Sequence, residues 1–520
     1  MAKTKRHILW VDDEIELLRP HLIFLAEKGY KVTPVANAED AIELVKQNEY
    51  DIVLLDEMLH GMDGLTALNE IKDLKPGLPI IMVTKSEEES LMEEAIGGKI
   101  DDYLTKPVNP SQILAACKRL LDKKTISGQK ISRDYTAEFR EIAVRLLSPM
   151  EWQDWIDVHL QLSEWDLEID QHPDLGLKQT LYDQKRACNI EFGRYIEKNY
   201  RGWLHGQNRP ALSIDVIPQF ILPHVKNDKR VLLLVIDNLR LDQWLVLEPL
   251  LRDYYRINRQ YYFSILPTAT PYARNAIFAG LFPSEIEEMI PELWQGDNEN
   301  DDLSRNRNEQ QLLEAQLKRI GVELKPEPKY AKILDMHESR NVARKIKEYA
   351  SVPLSTIVVN FMDILAHTRS SNDLIKEMIP NEAAFRTMTR SWFEHSHIFE
   401  ALRELADYDS TIVITSDHGS IRGLRGAKVI GDRETSTSLR YKYGRNLRVD
   451  SKYAMIIKEP REYKLPARGV NTNYIISKED YYFVYPTNYH YYLNYYADSF
   501  QHGGISMEEM ILPIVTLEPK

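Results

Sequence analysis

Apolar runs that end in polar residues constrain the fold of this 520-residue chain most strongly. The run VLLLVI leads directly into Asp237, and the run TIVITS leads into Asp417 and His418. Runs of this kind are typical of strands that are buried on both faces, as in a parallel sheet covered by helices. Such sheets place their functional sites at the carboxyl ends of the strands. We therefore predict an α/β domain with a polar site where these two strands end.

Four more residues extend this polar site along the chain. A third apolar run, STIVVNFMD, ends at Asp363, and His367 follows four residues later. Side chains at that spacing can converge on one metal ion. His502 lies near the C-terminus, and Thr270 lies between the first and second groups. Any one of these residues alone would indicate an ordinary structural role, and only the whole set, in the order in which it occurs along the chain, favours a metal centre.

The order of these residues resembles that of the alkaline phosphatase superfamily, in which two zinc ions flank a hydroxyl nucleophile. Thr270 lies in SILPTATPYARNAIFAGLFPSE, which is similar to the nucleophile turn of the phosphodiesterase-type members. QHGGISMEEMILP is similar to the segment that carries the last histidine. The resemblance extends from about Asn227 to the end of the chain and is closest to the PglZ branch. It implies one zinc ion held by Asp363, His367 and His502 and a second held by Asp237, Thr270, Asp417 and His418.

A threonine hydroxyl suits the role of nucleophile only when a metal ion assists it. Near neutral pH the hydroxyl is a weak nucleophile, but coordination to a metal favours its ionised form. Thr268, two positions before Thr270, is an alternative nucleophile. We favour Thr270 because the following Pro271 suits the first turn of a helix, and a helix N-terminus supplies backbone N–H donors to a phosphoryl group.

The N-terminal segment predicts a second module. Five strand-like runs, HILWVDD, KVTPV, DIVLLD, PIIMVT and DDYLT, alternate with amphipathic helical stretches, which indicates a doubly wound, five-stranded parallel sheet. Clustered carboxylates repel one another unless a hard cation neutralises them, and Mg²⁺ with oxygen ligands suits that task. The polar residues at the ends of these strands are Asp12, Asp13, Asp56, Thr84 and Lys106.

This module resembles a two-component receiver domain, with its flavodoxin-like fold. The resemblance implies that Asp56 accepts a phosphoryl group and that Asp12 and Asp13 help it to hold Mg²⁺. It also implies that Thr84 and Lys106 bind the phosphoryl oxygens and that Tyr103 is the switch aromatic. The chain departs from the receiver pattern at Glu57, His60 and Lys85, which bears on the lifetime of the phosphorylated form.

A receiver, a helical middle and a PglZ-type domain in this order are similar to the response regulators of the type IX secretion system. The resemblance implies a cognate sensor histidine kinase and a zinc-dependent phosphodiesterase that acts on oligonucleotide or cyclic nucleotide phosphodiesters. Because receivers commonly pair, we expect a homodimer on phosphorylation, formed through residues about 84–122. A phosphomonoesterase or phosphomutase on the same site and a protein-binding scaffold without turnover remain alternatives.

Length and composition fit a cytoplasmic protein of three domains. We expect a receiver at residues 1–122, a linker and helical bundle at 123–208 and a catalytic domain at 209–520. The polar stretch DKKTISGQKISRD is predicted to be the linker, and GDNENDDLSRNRN an inserted loop. We expect no membrane span, because no apolar run approaches about 20 residues. The net charge of -13 and the lack of a helix-turn-helix pattern argue against sequence-specific DNA binding.

A basic segment directly follows Asp417 and His418. Between residues 422 and 448, lysines and arginines far outnumber acidic residues. One interpretation is a lid that attracts a polyanionic substrate, and the other is a solvated basic loop. On the first interpretation the substrate-binding residues are Arg422, Arg425, Arg440 and Arg445.

Overall fold

The computed structural model describes residues 6–85, 100–294, 306–432, 438–467 and 471–520. The chain forms two compact units, Met1–Thr136 and Ala137–Lys520, and each is described by itself. Most of the predicted loop GDNENDDLSRNRN, residues 296–305, lies outside the described residues, as do residues 86–99 of the predicted dimer face. The predicted domain boundaries at residues 122 and 208 stay predictions.

The first unit contains a parallel sheet of five strands in the order β2-β1-β3-β4-β5. Its strands are β1 (His7–Val11), β2 (Lys31–Val35), β3 (Ile52–Asp56), β4 (Ile80–Thr84) and β5 (Asp102–Thr105). Its described helices are α1 (Arg19–Glu27), α2 (Ala38–Gln47), α3 (Gly64–Leu74) and most of α4 (Pro110–Arg145). The doubly wound prediction is confirmed, because apolar clusters cover both faces of the sheet: α2 and α3 pack on one face, and α1 and α4 on the other.

The stretch DKKTISGQKISRD, predicted to be a short polar linker, is helical in the structure. These residues belong to α4, a single helix of 36 residues. The stretch contains no proline and only Gly128 as a weak helix former, while its lysines, glutamine and arginine favour helix. Polar composition alone therefore did not distinguish a loop from a solvated helix.

The second unit begins with the predicted helical segment. Its two long helices are α5 (Trp152–Gln171) and α6 (Lys178–Leu204). They pack on each other through rings such as Trp155 and Phe192, whose centroids lie 5.3 Å apart. Trp203 and Phe192 also contact Phe263, which ends a strand of the following sheet. The helical pair is therefore packed on the sheet that follows it through buried aromatic rings.

The second unit is built around a six-stranded sheet in the order β7-β18-β10-β6-β9-β8. Four adjacent strands, β10, β6, β9 and β8, are parallel, and β18 runs antiparallel to both β10 and β7. The strands are β6 (Val231–Ile236), β7 (Tyr255–Phe263), β8 (Lys329–Ile333), β9 (Leu354–Val359), β10 (Thr411–Thr415) and β18 (Ile511–Pro519). Alternate residues of β6, β9 and β10 enter apolar clusters on opposite faces, so the central strands are buried on both sides as predicted.

Helices cover both faces of this sheet. In chain order they are α7 (Leu222–Lys226), α8 (Leu241–Leu251), α9 (Thr270–Ala279), α10 (Pro283–Met289), α11 (Glu309–Arg319), α12 (Met336–Arg344), α13 (Ile346–Ala350), α14 (Phe361–Ser371), α15 (Asp373–Met378), α16 (Glu382–Glu394) and α17 (His397–Leu405). A π-helical turn, Val216–Ile221, precedes α7.

Between β10 and β18 the chain forms a smaller region, here called the cap (residues 421–510). Its elements are β11 (Ile421–Gly423), β12 (Arg425–Lys428), β13 (Tyr441–Arg445), β14 (Ala454–Ile457), β15 (Thr472–Ser477), β16 (Tyr481–Val484), α18 (Tyr489–Tyr496), β17 (Ser499–Gln501) and α19 (Met507–Met510). The strands pair as β11 with β17, β12 with β16, and β13 and β14 on either side of β15. The cap thus brings residues near position 500 back beside residues that follow β10.

A buried network of charges joins the helical pair to the region of the six-stranded sheet. Lys185 on α6 contacts Asp166 on α5, Glu382 on α16 and Glu508 on α19. The other ion pairs of the network join Arg386 to Asp166, Asp170 and Asp242, and Arg240 to Asp242 and Glu382. Removing one partner from such a network typically costs about 3–5 kcal/mol, because it leaves a charge buried without compensation. The helical pair and the six-stranded sheet therefore form one unit.

In the part of the chain that the structure describes, no helix is both long and apolar enough to cross a membrane.

We predict that His159 makes the folded state sensitive to acid. His159 is buried on α5, and burial lowers its pKa to about 4 from the ordinary value of 6.5. Because the unfolded chain then binds the proton more tightly, the contribution of His159 to stability is fully present above pH 6.5 and is lost as pH falls to about 4. The loss should be on the order of 2–3 kcal/mol.

Chemical denaturation of wild type and His159→Leu between pH 7 and pH 4 measures this contribution. The difference in unfolding free energy should change by the predicted amount over that range, in favour of the variant at low pH. His490→Gln, which alters an exposed histidine, is the control and should follow the wild-type curve. Parallel curves for His159→Leu and wild type would contradict the assignment.

Candidate functional site

Two neighbouring parallel strands bring the first ligands together. β6 and β10 are hydrogen-bonded in parallel register, with Thr415 opposite Val235. Asp237 follows β6 directly, and Asp417 and His418 come two and three residues after the end of β10. All three side chains are buried at the carboxyl edge of the sheet, where such folds place their sites.

Asp363 reaches the site from a helix, which corrects the prediction that it ends a strand. β9 ends at Val359, and Asp363 lies in the first turn of α14. The apolar residues Phe361 and Met362 belong to the helix, and in the sequence they simply lengthen the apolar run. Residues four apart share one helix face, so Asp363 and His367 still point to the same place.

Asp363, His367 and His502 form the first ligand group. One ligand atom from each lies within 4.8 Å of the other two. The Nε2 atoms of His367 and His502 are 3.2 Å apart, and Asp363 Oδ1 is 3.4 Å from the first and 3.6 Å from the second. His502 arrives from the cap, directly after β17. The structure therefore brings together three ligands that are far apart in the sequence.

Asp237, Asp363 and His418 form a second group within the same 4.8 Å limit. His418 Nε2 lies 3.6 Å from Asp237 Oδ1 and 3.7 Å from Asp417 Oδ2. Asp363 belongs to both groups, so the two groups are adjacent. The buried Oδ1 atoms of Asp237 and Asp417 have no hydrogen-bond partner among the described residues, which fits ligands of a cation. Carboxylate and imidazole donors in such a set suit zinc.

The protonation states of His502 and Asp417 suit metal binding, whereas burial raises the pKa of Asp237. His418 Nδ1 lies 3.1 Å from the carbonyl oxygen of Gly419. A carbonyl only accepts, so Nδ1 donates in this contact and the lone pair of Nε2 faces the ligand group. Burial lowers the pKa of His502 to about 3, which keeps its imidazole neutral. Burial opposes ionisation of Asp417, but Arg274 holds the pKa of Asp417 at about 2.

The two candidate nucleophiles have different surroundings. Thr270 Oγ1 lies 2.9 Å from His418 Nε2, at the N-terminus of α9 and beside the second ligand group. The hydroxyl of Thr268 donates to the carbonyl of Gly504 at 2.8 Å and accepts from the Gly503 backbone N–H at 3.1 Å. Because Thr268 is occupied in holding the backbone after His502, this geometry favours Thr270.

Three residues that the sequence analysis missed contact the ligands. Asn360 Nδ2 donates to Asp237 Oδ2 at 2.9 Å, and Asn238 Nδ2 donates to Asp363 Oδ1 at 3.2 Å. Arg274 on α9 is fully buried and pairs with Asp237 and Asp417. Its spacing of four residues from Thr270 places it on the same helix face, and that spacing was the one available signal.

The glycines of QHGG allow close packing around His502. Gly503 has φ +112, a conformation that side chains rarely adopt, and a Cβ there would overlap the ring of Tyr441. A Cβ on Gly504 would overlap the guanidinium of Arg440. Arg440 is fully buried and pairs with Glu509. Arg440 thus supports the backbone after His502, which corrects its assignment to an open substrate lid.

The other arginines of the basic segment differ in their surroundings. Arg422 pairs with Asp498, and Arg425 pairs with Glu479 and Asp480. These partners offset the positive charge that was expected to attract a polyanion. Arg445, at the end of β13, is exposed. The four residues therefore do not form a uniform basic surface.

The first unit holds a second acidic group at the ends of β1 and β3. Ligand oxygens of Asp12, Asp13 and Asp56 lie within 4.8 Å of one another, which suits a hard cation such as Mg²⁺. Lys106 Nζ donates to Asp12 Oδ2 at 2.9 Å and to Asp56 Oδ2 at 2.6 Å. Burial raises the pKa of Asp56, and the bonds to Lys106 partly oppose that shift.

Thr84 and Tyr103 lie in the positions expected from β4 and β5. The hydroxyl of Thr84 donates to the carboxylate of Glu57, the residue that directly follows Asp56. Tyr103 is 45% exposed, so its ring is on the surface in this structure. His60 Nδ1 lies 2.7 Å from Asp13 Oδ2. Two of the three departures from the receiver pattern, Glu57 and His60, thus contact the residues around the acidic group.

Three family models match the chain. The model described as the BREX system PglZ alkaline phosphatase-like domain matches residues 216–517. The response regulator receiver domain matches residues 8–118, and the PorX response regulator linker domain matches residues 125–204. The first unit therefore contains a receiver domain, which implies a phosphodonor such as a histidine kinase. The second contains an alkaline phosphatase-like domain, so the output is hydrolase-like.

Individual relatives and solved structures are similar to part of the chain. Transcriptional regulatory protein SrrA of Staphylococcus aureus (strain NCTC 8325 / PS 47) is 30% identical over 165 residues, which are 31% of this chain and 68% of SrrA. A response regulator receiver domain protein (CheY-like) from Methanospirillum hungatei JF-1 is 29% identical, with a TM-score of 0.23, over 24% of this chain and 99% of that chain. A two-component response regulator from Clostridium difficile is 30% identical, with a TM-score of 0.22, over 23% of this chain and 98% of that chain.

We predict that Glu57 weakens capture of a phosphoryl group at Asp56. The Thr84 hydroxyl that donates to Glu57 is the group expected to bind a phosphoryl oxygen. Glu57→Ala should release it and tighten beryllofluoride binding in the presence of Mg²⁺ by about fivefold, since one hydrogen bond is worth about 1 kcal/mol. Titration followed by tryptophan fluorescence measures the change.

Glu57→Gln separates the hydrogen bond from the charge, because its amide oxygen still accepts from Thr84. Glu49→Ala, which removes an exposed carboxylate from the same unit, should bind beryllofluoride as wild type does. If Glu57→Gln tightened binding as much as Glu57→Ala, then the charge of Glu57, and not its hydrogen bond to Thr84, would be the cause.

Proposed function

Because the chain belongs to the PglZ alkaline phosphatase-like family, we propose that it is a response regulator whose output is a zinc-dependent phosphodiesterase. The observation that carries the proposal is the position of Thr270. Its hydroxyl lies 2.9 Å from His418 Nε2, buried beside two adjacent groups of metal-type ligands. A hydroxyl among such ligands at a helix N-terminus suits nucleophilic attack on a phosphoryl group.

The first ligand group, Asp363, His367 and His502, would hold one zinc ion. Asp237 and His418 of the second group would hold another, together with Asp417 and Thr270, which lie outside both groups. When bound, zinc supplies Lewis-acid stabilisation of phosphoryl charge and favours the ionised form of a hydroxyl.

The chain's own residues supply position and orientation. Thr270 Oγ1 attacks phosphorus while the bond from phosphorus to the leaving alcohol breaks, and water then replaces Thr270 on phosphorus. The first backbone N–H groups of α9 face the phosphoryl oxygens. The Thr268 hydroxyl holds Gly503 and Gly504 and so fixes the backbone after His502.

We propose phosphodiesters of oligonucleotides or cyclic nucleotides as substrates. The match of residues 125–204 to the PorX response regulator linker domain supports a role like that of PorX in controlling type IX secretion. Among the four arginines proposed to bind substrate, Arg445 is the exposed one and could meet a polyanion without losing a buried partner. Arg422 and Arg425 would reach substrate only by exchanging their present acidic partners for it.

The receiver would control this output from the cytoplasm. A cognate sensor histidine kinase would phosphorylate Asp56, with Asp12, Asp13 and Asp56 holding Mg²⁺. Thr84 and Lys106 would capture the phosphoryl oxygens, and the exposed Tyr103 would move inward as the switch aromatic. The rearranged face, residues about 84–122, would pair two protomers.

We predict that Thr270→Ala abolishes phosphodiester cleavage and keeps the fold. The variant loses the attacking oxygen, so turnover of bis(p-nitrophenyl) phosphate should fall by about 1,000-fold or more. Most zinc should remain, because one ligand of seven is removed. The assay is run with and without chelator, together with elemental analysis and circular dichroism.

Two variants control this experiment. Thr270→Ser keeps a hydroxyl and should retain part of the activity, and Thr268→Ala should be much milder than Thr270→Ala. The opposite order for the two alanine variants would make Thr268 the nucleophile. Faster cleavage of p-nitrophenyl phosphate than of the diester would favour a phosphomonoesterase, and no turnover of either would favour a scaffold.

We predict that beryllofluoride with Mg²⁺ converts the protein from a monomer to a symmetric homodimer. The added negative charge at Asp56 can be captured by Thr84 and Lys106, which changes the neighbouring face. Light scattering and diester turnover measured on the same samples test this prediction. Asp56→Ala removes the acceptor and should stay monomeric, so identical responses from wild type and Asp56→Ala would exclude control through Asp56.

A further inference from the structure

Arg274 lies within the proposed metal site and carries a charge that the proposed reaction does not use. It stands one turn after Thr270 on α9 and is fully buried. Its guanidinium meets three carboxylates: Nη2 contacts Asp237, Nε lies 3.0 Å from Asp417 Oδ2, and Nη1 lies 3.4 Å from Glu309 Oε1. Two of these three carboxylates are proposed zinc ligands.

Arg274 contacts one carboxylate oxygen of Asp237 and one of Asp417. Asp237 Oδ2 meets both Arg274 Nη2 and Asn360 Nδ2, and Asp417 Oδ2 meets Arg274 Nε. The Oδ1 atoms of both aspartates are buried and have no hydrogen-bond partner among the described residues. Asp237 Oδ1 lies on the side of His418 Nε2, at 3.6 Å. Because a guanidinium only donates, Arg274 holds the Oδ2 atoms of both aspartates. This leaves Asp237 Oδ1 beside His418 Nε2, whereas the Asp417 oxygen nearest to His418 Nε2, at 3.7 Å, is the Oδ2 that Arg274 holds.

A second layer fixes Arg274 from the opposite side. Glu309, which begins α11, is buried, and its carboxylate accepts from the hydroxyl of Tyr330 and lies 3.3 Å from Lys332 Nζ. Tyr330 and Lys332 belong to β8, at the edge of the sheet. The guanidinium is therefore held between the site and an anchored carboxylate, which restricts its rotation.

We propose that Arg274 is the positioning residue of the Asp237 and Asp417 zinc site. It orients both carboxylates through their Oδ2 atoms and offsets part of their charge. The inference rests on the proposed function in one respect, namely that these aspartates bind zinc. Partners that orient metal ligands in this way typically change metal affinity by about 10–100-fold when they are removed.

The planar shape of the guanidinium is essential to this role. Three nitrogens of one rigid fork reach three carboxylates at once, whereas a lysine offers a single ammonium point charge. A lysine at position 274 would therefore preserve the positive charge but not the orientation of both aspartates. Charge and geometry can be separated by comparing Arg274→Lys with Arg274→Gln.

The test measures zinc binding directly, without using catalytic activity. Wild type, Arg274→Gln, Arg274→Lys and Glu309→Gln are equilibrated in chelator-buffered zinc, and bound zinc per chain is determined by elemental analysis. We expect two ions in wild type, with one bound about 10–100-fold more weakly in both Arg274 variants. The ion at Asp363, His367 and His502 should be retained. Glu309→Gln should show a smaller loss at the same site.

Arg386→Gln is the matched control. Arg386 is also buried and contacts three aspartates, Asp166, Asp170 and Asp242, but none of them is a proposed ligand. Its substitution should lower the melting temperature as an Arg274 substitution does, yet leave both zinc ions bound as in wild type. This control distinguishes loss of a buried ion network from loss of ligand orientation.

The outcomes separate the two proposals. If wild type bound no zinc, the proposed function and this inference would both be overturned. If wild type bound two ions and Arg274→Gln or Arg274→Lys bound both with unchanged affinity, the positioning role alone would be overturned. If Arg274→Gln does not fold, Arg274→Lys and Glu309→Gln test the proposal instead. Unchanged zinc affinity in both of these variants would equally overturn the positioning role of Arg274.

Discussion

The parallel pairing of β6 with β10 is the interaction on which the rest of the site depends. In-register pairing sets Asp237 beside Asp417 and His418 at one edge of the sheet. Two carboxylates buried this close repel each other, so folding requires positive charge among them. Arg274 supplies part of that charge from the nucleophile helix, and the same helix carries Thr270. The helix α9 thus supplies both the positive charge that offsets the two aspartates and the hydroxyl of Thr270.

The cap contributes one ligand and a large supporting structure. His502 reaches the site because β17 pairs with β11, which follows β10 closely in the chain. Arg440 and Glu509 form a fully buried pair beneath Gly504, and Tyr441 packs against Gly503. These contacts fix the backbone on either side of one imidazole. Arg440, one of the arginines of the basic segment, therefore serves to hold the cap together.

The sequence predicted what apolar periodicity can encode. It predicted both sheets, and it predicted polar residues at strand ends because residues such as Asp237 directly follow buried strands. It placed Asp363 at a strand end because the first apolar residues of α14 extend the run without a break. It missed Arg274, since a single arginine in a helix does not show that it is buried until the partner strands are assembled. Arg440 was misassigned for the same reason, as its partner Glu509 is 69 residues away.

The helical pair and the site are connected through a short path of buried contacts. Lys185 on α6 reaches Glu508, whose backbone lies so close to Gly419 that any side chain at that position would overlap it. Gly419 directly follows His418. A second set of contacts reaches the loop after β6. Arg386 contacts Asp242 and Glu382 contacts Arg240, and Arg240 and Asp242, which pair with each other, lie a few residues after Asp237. The helical pair is therefore linked by buried contacts to both loops that follow β6 and β10, and none of these contacts is made by a proposed zinc ligand.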